Sequence, residues 1–121
     1  MPSDSYHSWI TGICVLPGQV LVVDREHKKV ILLDQQCQVS HCGVSDYPMG
    51  MCEITSSEVA VTVNRCVQFI TVTQSQLVTG RKLQFQHRCY GIAIHKGDLF
   101  ICSGNALFKV LIEWKNDPST V

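Results

Sequence analysis

The sequence predicts an all-β chain built from repeated antiparallel sheets, and three observations carry that prediction. A short glycine-led word, Gly12-Ile13-Cys14, returns as Gly50-Met51-Cys52 and Gly91-Ile92-Ala93, its glycine 38 and then 41 positions further on. Each copy is followed by two short apolar runs with a polar break between them. No stretch of useful length shows the three-to-four spacing of an amphipathic helix. A period of about 40 residues is the mark of a repeat architecture, in which each unit is a structural piece rather than a catalytic motif.

The elements follow in the same order in every unit. A first strand lies at the glycine word. A second falls on Val20-Leu21-Val22-Val23, Val59 to Val63 and Leu99-Phe100-Ile101-Cys102. Polar breaks come next, at Asp24 to Lys29, Asn64-Arg65 and Ser103-Gly104-Asn105, and a third strand follows at Val30-Ile31-Leu32-Leu33, Val67 to Ile70 and Leu107 to Val110. The runs are rich in β-branched and aromatic residues and bounded by Gly, Pro, Asn, Asp or Ser, as strands are. A more polar fourth strand is expected around Gln38 to His41 and around Lys82 to Gln86.

The nearly continuous apolar second strand implies burial on both faces, as in a sheet held between neighbouring sheets. Four antiparallel strands in about 40 residues, stacked face to face, describe a β-propeller blade. A sandwich of roughly seven or more strands would explain the strand density but not the repeating register. The expected fold is therefore all-β: a partial β-propeller of about two and three-quarter four-stranded antiparallel blades, at residues 9–47, 48–88 and 89–115. Residues 1–8 and 116–121 are expected to be loose ends. Closed propellers use about four to eight blades, so 121 residues are too few for a ring. The remaining blades are expected from the same parent chain or from self-association.

Formal net charge is zero, which removes any global electrostatic case for nucleic acid or membrane. No stretch approaches the roughly 20 apolar residues of a membrane span, and the opening residues lack the basic-then-apolar pattern of a secretory signal. A cytoplasmic location is expected. The seven cysteines are odd in number and form no C-x-x-C pair. Cys14, Cys52 and Cys102 fall in apolar strand columns, where cysteine acts as a small hydrophobe. Cys37, His41 and Cys42 could be drawn as a metal cluster, but zinc ligands come in other spacings, so no metal, cofactor or catalytic residue is assigned.

In an antiparallel blade the segment entering the first strand and the loop between the second and third share one face. That face gathers Trp9, Arg25, Lys28, Lys29, Tyr47, Arg65, Arg88 and Tyr90, with Glu26 the main opposing charge and Asp24 and Asp46 at its margins. It is net basic although the chain is neutral. These eight are the candidate partner-binding residues. Basic residues interleaved with aromatics suit the anchoring of a peptide or the stacking of single-stranded nucleic acid. The same aromatics could instead wedge neighbouring blades.

The segment VLVVDREHKKVILLD, residues 20–34, resembles an NHL repeat. Asp24 matches the repeat's aspartate, and His27-Lys28-Lys29 stands in place of its Asn-His-Arg-like triplet. Residues 90–110 resemble the terminal blades of NHL-like propellers in tripartite-motif proteins, particularly invertebrate ones. Neither the second nor the third unit keeps the aspartate and triplet. The chain holds no RING or B-box pattern, so the resemblance implies only the substrate- or RNA-recognition end of such a protein, whose parent could be a ubiquitin ligase.

The leading expectation is a non-enzymatic module binding a protein partner through this face, a fragment of a larger tripartite-motif-like protein. Single-stranded RNA on the same face is the alternative. A propeller hydrolase or lactonase ranks last, since only Glu53 and His95 on the first strands could contribute to a central site.

Overall fold

The computed structural model describes residues 9–34, 39–73 and 76–110, and every regular element among them is a strand. β1 (Ile10–Leu16), β2 (Gln19–Asp24), β3 (Lys29–Asp34) and β4 (Val39–Gly43) form one sheet in chain order. β5 (Pro48–Thr55), β6 (Glu58–Val63), β7 (Cys66–Val72) and β8 (Leu77–Gln84) form a second, and β9 (Ile92–His95), β10 (Asp98–Ser103) and β11 (Ala106–Val110) a third. All pairings are antiparallel. Pro17-Gly18 joins β1 to β2, the proline presetting its own φ and Gly18 supplying the positive φ of 74°.

Two apolar cores hold the three sheets together. The first lies between sheets one and two, where Leu21, Val23 and Val30 meet Val59, Val61 and Ile70, all with no exposed surface. The second lies between sheets two and three, where Ala60, Val67 and Phe69 meet Leu99 and Ile101. Sheet two is covered on both faces, which is why β6 reads EVAVTV without alternation and is buried from Val59 to Val63. β1 packs beside β5 and β5 beside β9, so the glycine-bearing strands sit next to one another. The stack is open: among the described residues the third sheet does not return to the first.

Close approach explains the glycine word. A Cβ on Gly50 would lie 2.7 Å from the carbonyl oxygen of Tyr90, just before β9. One on Gly91 would lie 2.9 Å from the Cys102 sulfur, and one on Gly12 would be 3.4 Å from Val23. The neighbouring second strand thus fills the space each glycine leaves, with Val23, Thr62 and Cys102 in turn.

The fourth strands differ from expectation. β4 ends at Gly43, two residues beyond the expected limit, and Gln38 lies outside the described residues, as do 1–8 and 111–121. β8 begins at Leu77 rather than near Lys82. Its register passes from Gln68↔Lys82 to Ile70↔Thr79, so Gly80 and Arg81 together oppose Phe69 in a β-bulge. The extra residue breaks the period-two pattern and hides the strand. Gln68 holds the bulge, its buried side-chain amide donating to the carbonyls of Gly80 (2.9 Å) and Arg81 (3.2 Å).

Candidate functional site

Five segments converge at the mouth where β1 and β5 begin. They are Trp9, the β2–β3 loop, the link from β4 to β5, the β6–β7 turn and the link from β8 to β9. Backbone hydrogen bonds fix them: Arg25 N–H donates to Trp9 (2.9 Å), Val44 to Lys28 (2.9 Å), Phe85 to Arg65 (2.7 Å) and Cys89 to Asn64 (2.7 Å). Lys28 and Asn64 adopt left-handed φ values of 54° and 56° to make their turns. Within the β2–β3 loop the buried carboxylate of Asp24 accepts from the His27 N–H (3.1 Å) and pairs with the His27 ring nitrogen (2.8 Å). Asp24, the residue that carries the NHL resemblance, thus caps its own loop.

A cleft of about 340 Å³ opens between these segments, within the size range of ligand-sized sites. Tyr47 and Tyr90 form its exposed rims, and Arg25, Asp46 and Arg88 bring charge to it. Met49, Asn64 and the buried Cys89 complete the lining. Two hydrogen bonds hold Asp46: its carboxylate accepts from Tyr47 N–H and from the Asn64 side-chain amide, each at 2.8 Å. Those two hydrogen bonds, the backbone one foremost, hold its pKa below the usual value, helped by the charges of Lys28 and Arg88.

The cations are arranged over the rings. The Arg25 guanidinium lies 4.8 Å from the Trp9 ring centre and 5.2 Å from that of Tyr47, and its Nε donates to the Met49 sulfur at 3.3 Å. Lys28 Nζ sits 4.5 Å from the Tyr47 ring. Arg25, between β2 and β3 of the first sheet, therefore bridges to Tyr47 and Met49 at the entry to the second, and part of the aromatic-basic rim is a junction between sheets.

Four of the eight expected residues, Arg25, Tyr47, Arg88 and Tyr90, line the cleft together. Trp9 and Lys28 reach it only through the stacks on Arg25 and Tyr47. Lys29 is half-buried at the start of β3, and Arg65 is exposed at the β6–β7 turn; neither lines the cleft. Asn64 and Cys89 lie on the expected face without being among the eight candidates, Asp46 is expected only at its margin, and Met49 is not expected there at all. An Asp followed by an aromatic at the mouth of a first strand was the available signal.

At the opposite mouth Glu53 and His95 are both exposed. Among the described residues no group of three or more His, Cys, Asp or Glu side chains could hold a metal ion. His41 pairs with Ile31 and Cys42 with Val30, so the two project from opposite faces of β4. Cys37 lies outside the described residues. Burial raises the thiol pKa of Cys14, Cys42 and Cys66, and pushes Cys89 up to about 11 and Cys52 up to about 12. Among the described residues no helix is long and apolar enough to cross a membrane.

No protein-family profile matches the chain, and no curated protein matches it. Among solved structures it is similar to a chain in the S. cerevisiae assembly of Dbp5 bound to Nup159, Gle1, IP6 and ADP. The likeness has a TM-score of 0.63 at 10% sequence identity and covers 94% of this chain and 32% of that one. At such identity the likeness is one of fold alone. The chain spans about a third of the length of the solved chain it matches.

Proposed function

We propose that this chain is a non-enzymatic binding module, an arc of three β-propeller blades whose loop-bearing face takes a segment of a protein partner. One observation carries the proposal: Arg25, Tyr47, Arg88 and Tyr90, drawn from three separate connecting segments, border a single cleft with Asp46 at its edge. Two exposed tyrosines with charges of both signs between them suit a peptide that offers an apolar side chain and a polar neighbour. The blade assignment is supported by the repeated register and by the glycine-bearing strands lying side by side.

RNA is the weaker reading. Arg25 and Lys28 already lie over aromatic rings, and Asp46 puts a carboxylate where a phosphate track would run. The resemblance to tripartite-motif proteins and the cytoplasmic location remain part of the same proposal.

Panning a random peptide display library against the chain tests it. Enriched peptides should lose at least about tenfold in affinity to the Arg88→Ala and Tyr47→Ala variants and be indifferent to Ser56→Ala on the opposite face. Peptides sensitive only to Ser56→Ala would contradict it.

A further inference from the structure

The two ends of the stack carry the halves of a junction that the chain already makes twice. Counting from the glycines, Val20, Val59 and Leu99 occupy one column, and Val22, Val61 and Ile101 another. In sheets two and three these residues face the preceding sheet and are wholly buried; in sheet one they are only partly covered. Their neighbours across β1 are among the most exposed apolar side chains of the protein, Ile13 at 64% and Val15 at 68%.

The other face repeats the pattern in reverse. Leu21 and Ala60, then Val23 and Thr62, face the following sheet with no exposed surface. Their counterparts in sheet three, Phe100 and Cys102, are partly open, and Leu107, which pairs with Cys102, is 71% exposed. The rim of that face is polar, formed by His95 and the Lys109–Asp98 ion pair at 3.4 Å.

We infer that two copies of this chain associate head to tail, the Ile13–Val15 face of sheet one in each copy docking on the Phe100–Leu107 face of sheet three in the other. Each of the two junctions joins unlike faces, as between sheets one and two and between two and three, and the two are related by the two-fold axis of the pair, so the repeat continues around the ring. Two copies supply six sheets, inside the roughly four to eight with which such rings close, so association stops at two. Closure covers both apolar ends at once, as exposed faces of this kind require. The inference rests on the proposed blade reading but not on the loop-face cleft, which uses other residues.

Sedimentation velocity on the full 121-residue chain tests it. The native chain should run as a dimer at micromolar concentration. Val15→Glu and Leu107→Glu, each placing a charge in the junction while altering an exposed side chain, should each run as monomers with an unchanged circular dichroism spectrum. An equimolar mixture of the two variants should restore a dimer, held by its one intact junction and dissociating at least about tenfold more readily than the native one. That recovery also shows that both variants are folded. A monomeric native chain, a ladder of species beyond two, or either variant dimerising alone would overturn the inference.

Discussion

The hydroxyl of Thr62 donates to the carbonyl oxygen of Tyr90 at 2.7 Å and accepts from the Gly50 N–H at 2.8 Å. Thr62 is wholly buried, so this single side chain ties the second sheet to the start of the third. Thr62→Val keeps the shape but leaves a buried donor and acceptor unmet. It should lower the unfolding free energy by about 1–3 kcal/mol in urea titration, with Thr62→Ser costing less. Equal losses for both variants would mean that packing, not the hydroxyl, matters here.

Gly50→Ala should be the most damaging of the glycine substitutions. Its new methyl would press on backbone, the Tyr90 carbonyl at 2.7 Å, and backbone cannot swing aside. A loss of about 1–3 kcal/mol is expected. Gly43→Ala is the control, since its nearest atom is 3.9 Å away, and its unfolding midpoint should stay near that of the native chain.

Removing the Arg25 guanidinium should be visible spectroscopically. In a Trp114→Phe background Trp9 is the sole tryptophan, and Arg25→Ala takes away the cation 4.8 Å from its ring centre. Trp9 emission should change, and stability should fall by about 0.5–1 kcal/mol for each ring uncovered. Unaltered emission would show that the stack is not kept in solution.

Alkali should destabilise the fold through its thiols. Cys89 and Cys52 are raised from the ordinary 9.0 to about 11 and about 12 by burial. Between pH 9 and those values the unfolded chain has lost thiol protons that the folded chain keeps, so stability falls as pH rises. The thermal midpoint should drop across that window, and a Cys52→Ala variant should show a shallower drop. Below pH 9 this contribution is constant, and folded-state alkylation of both thiols should be slow.

Much of the fold was legible because the glycines kept count. Measured from Gly12, Gly50 and Gly91, the first three strands of every unit fall where their apolar runs lie, since runs covered on both faces announce themselves. β8 did not, because the bulge at Gly80-Arg81 shifts its alternation by one residue and the Gln68 side chain that stabilises it comes from another strand. The site was legible at the level of which loops share a mouth. What composition could not show was pairing: Arg25 and Lys28 counted as free positive charge in the sequence, whereas in space they lie over Trp9 and Tyr47. Asp46, bonded to Tyr47 and Asn64, changes the cleft from basic to mixed.

The most direct test of the binding role is amide hydrogen exchange of the chain with and without a display-selected peptide. Added protection is expected in residues 44–47 and 88–91, within the two links that border the cleft, and none at the Pro17-Gly18, Ser56-Ser57 or Lys96-Gly97 turns. Protection confined to those turns would contradict it.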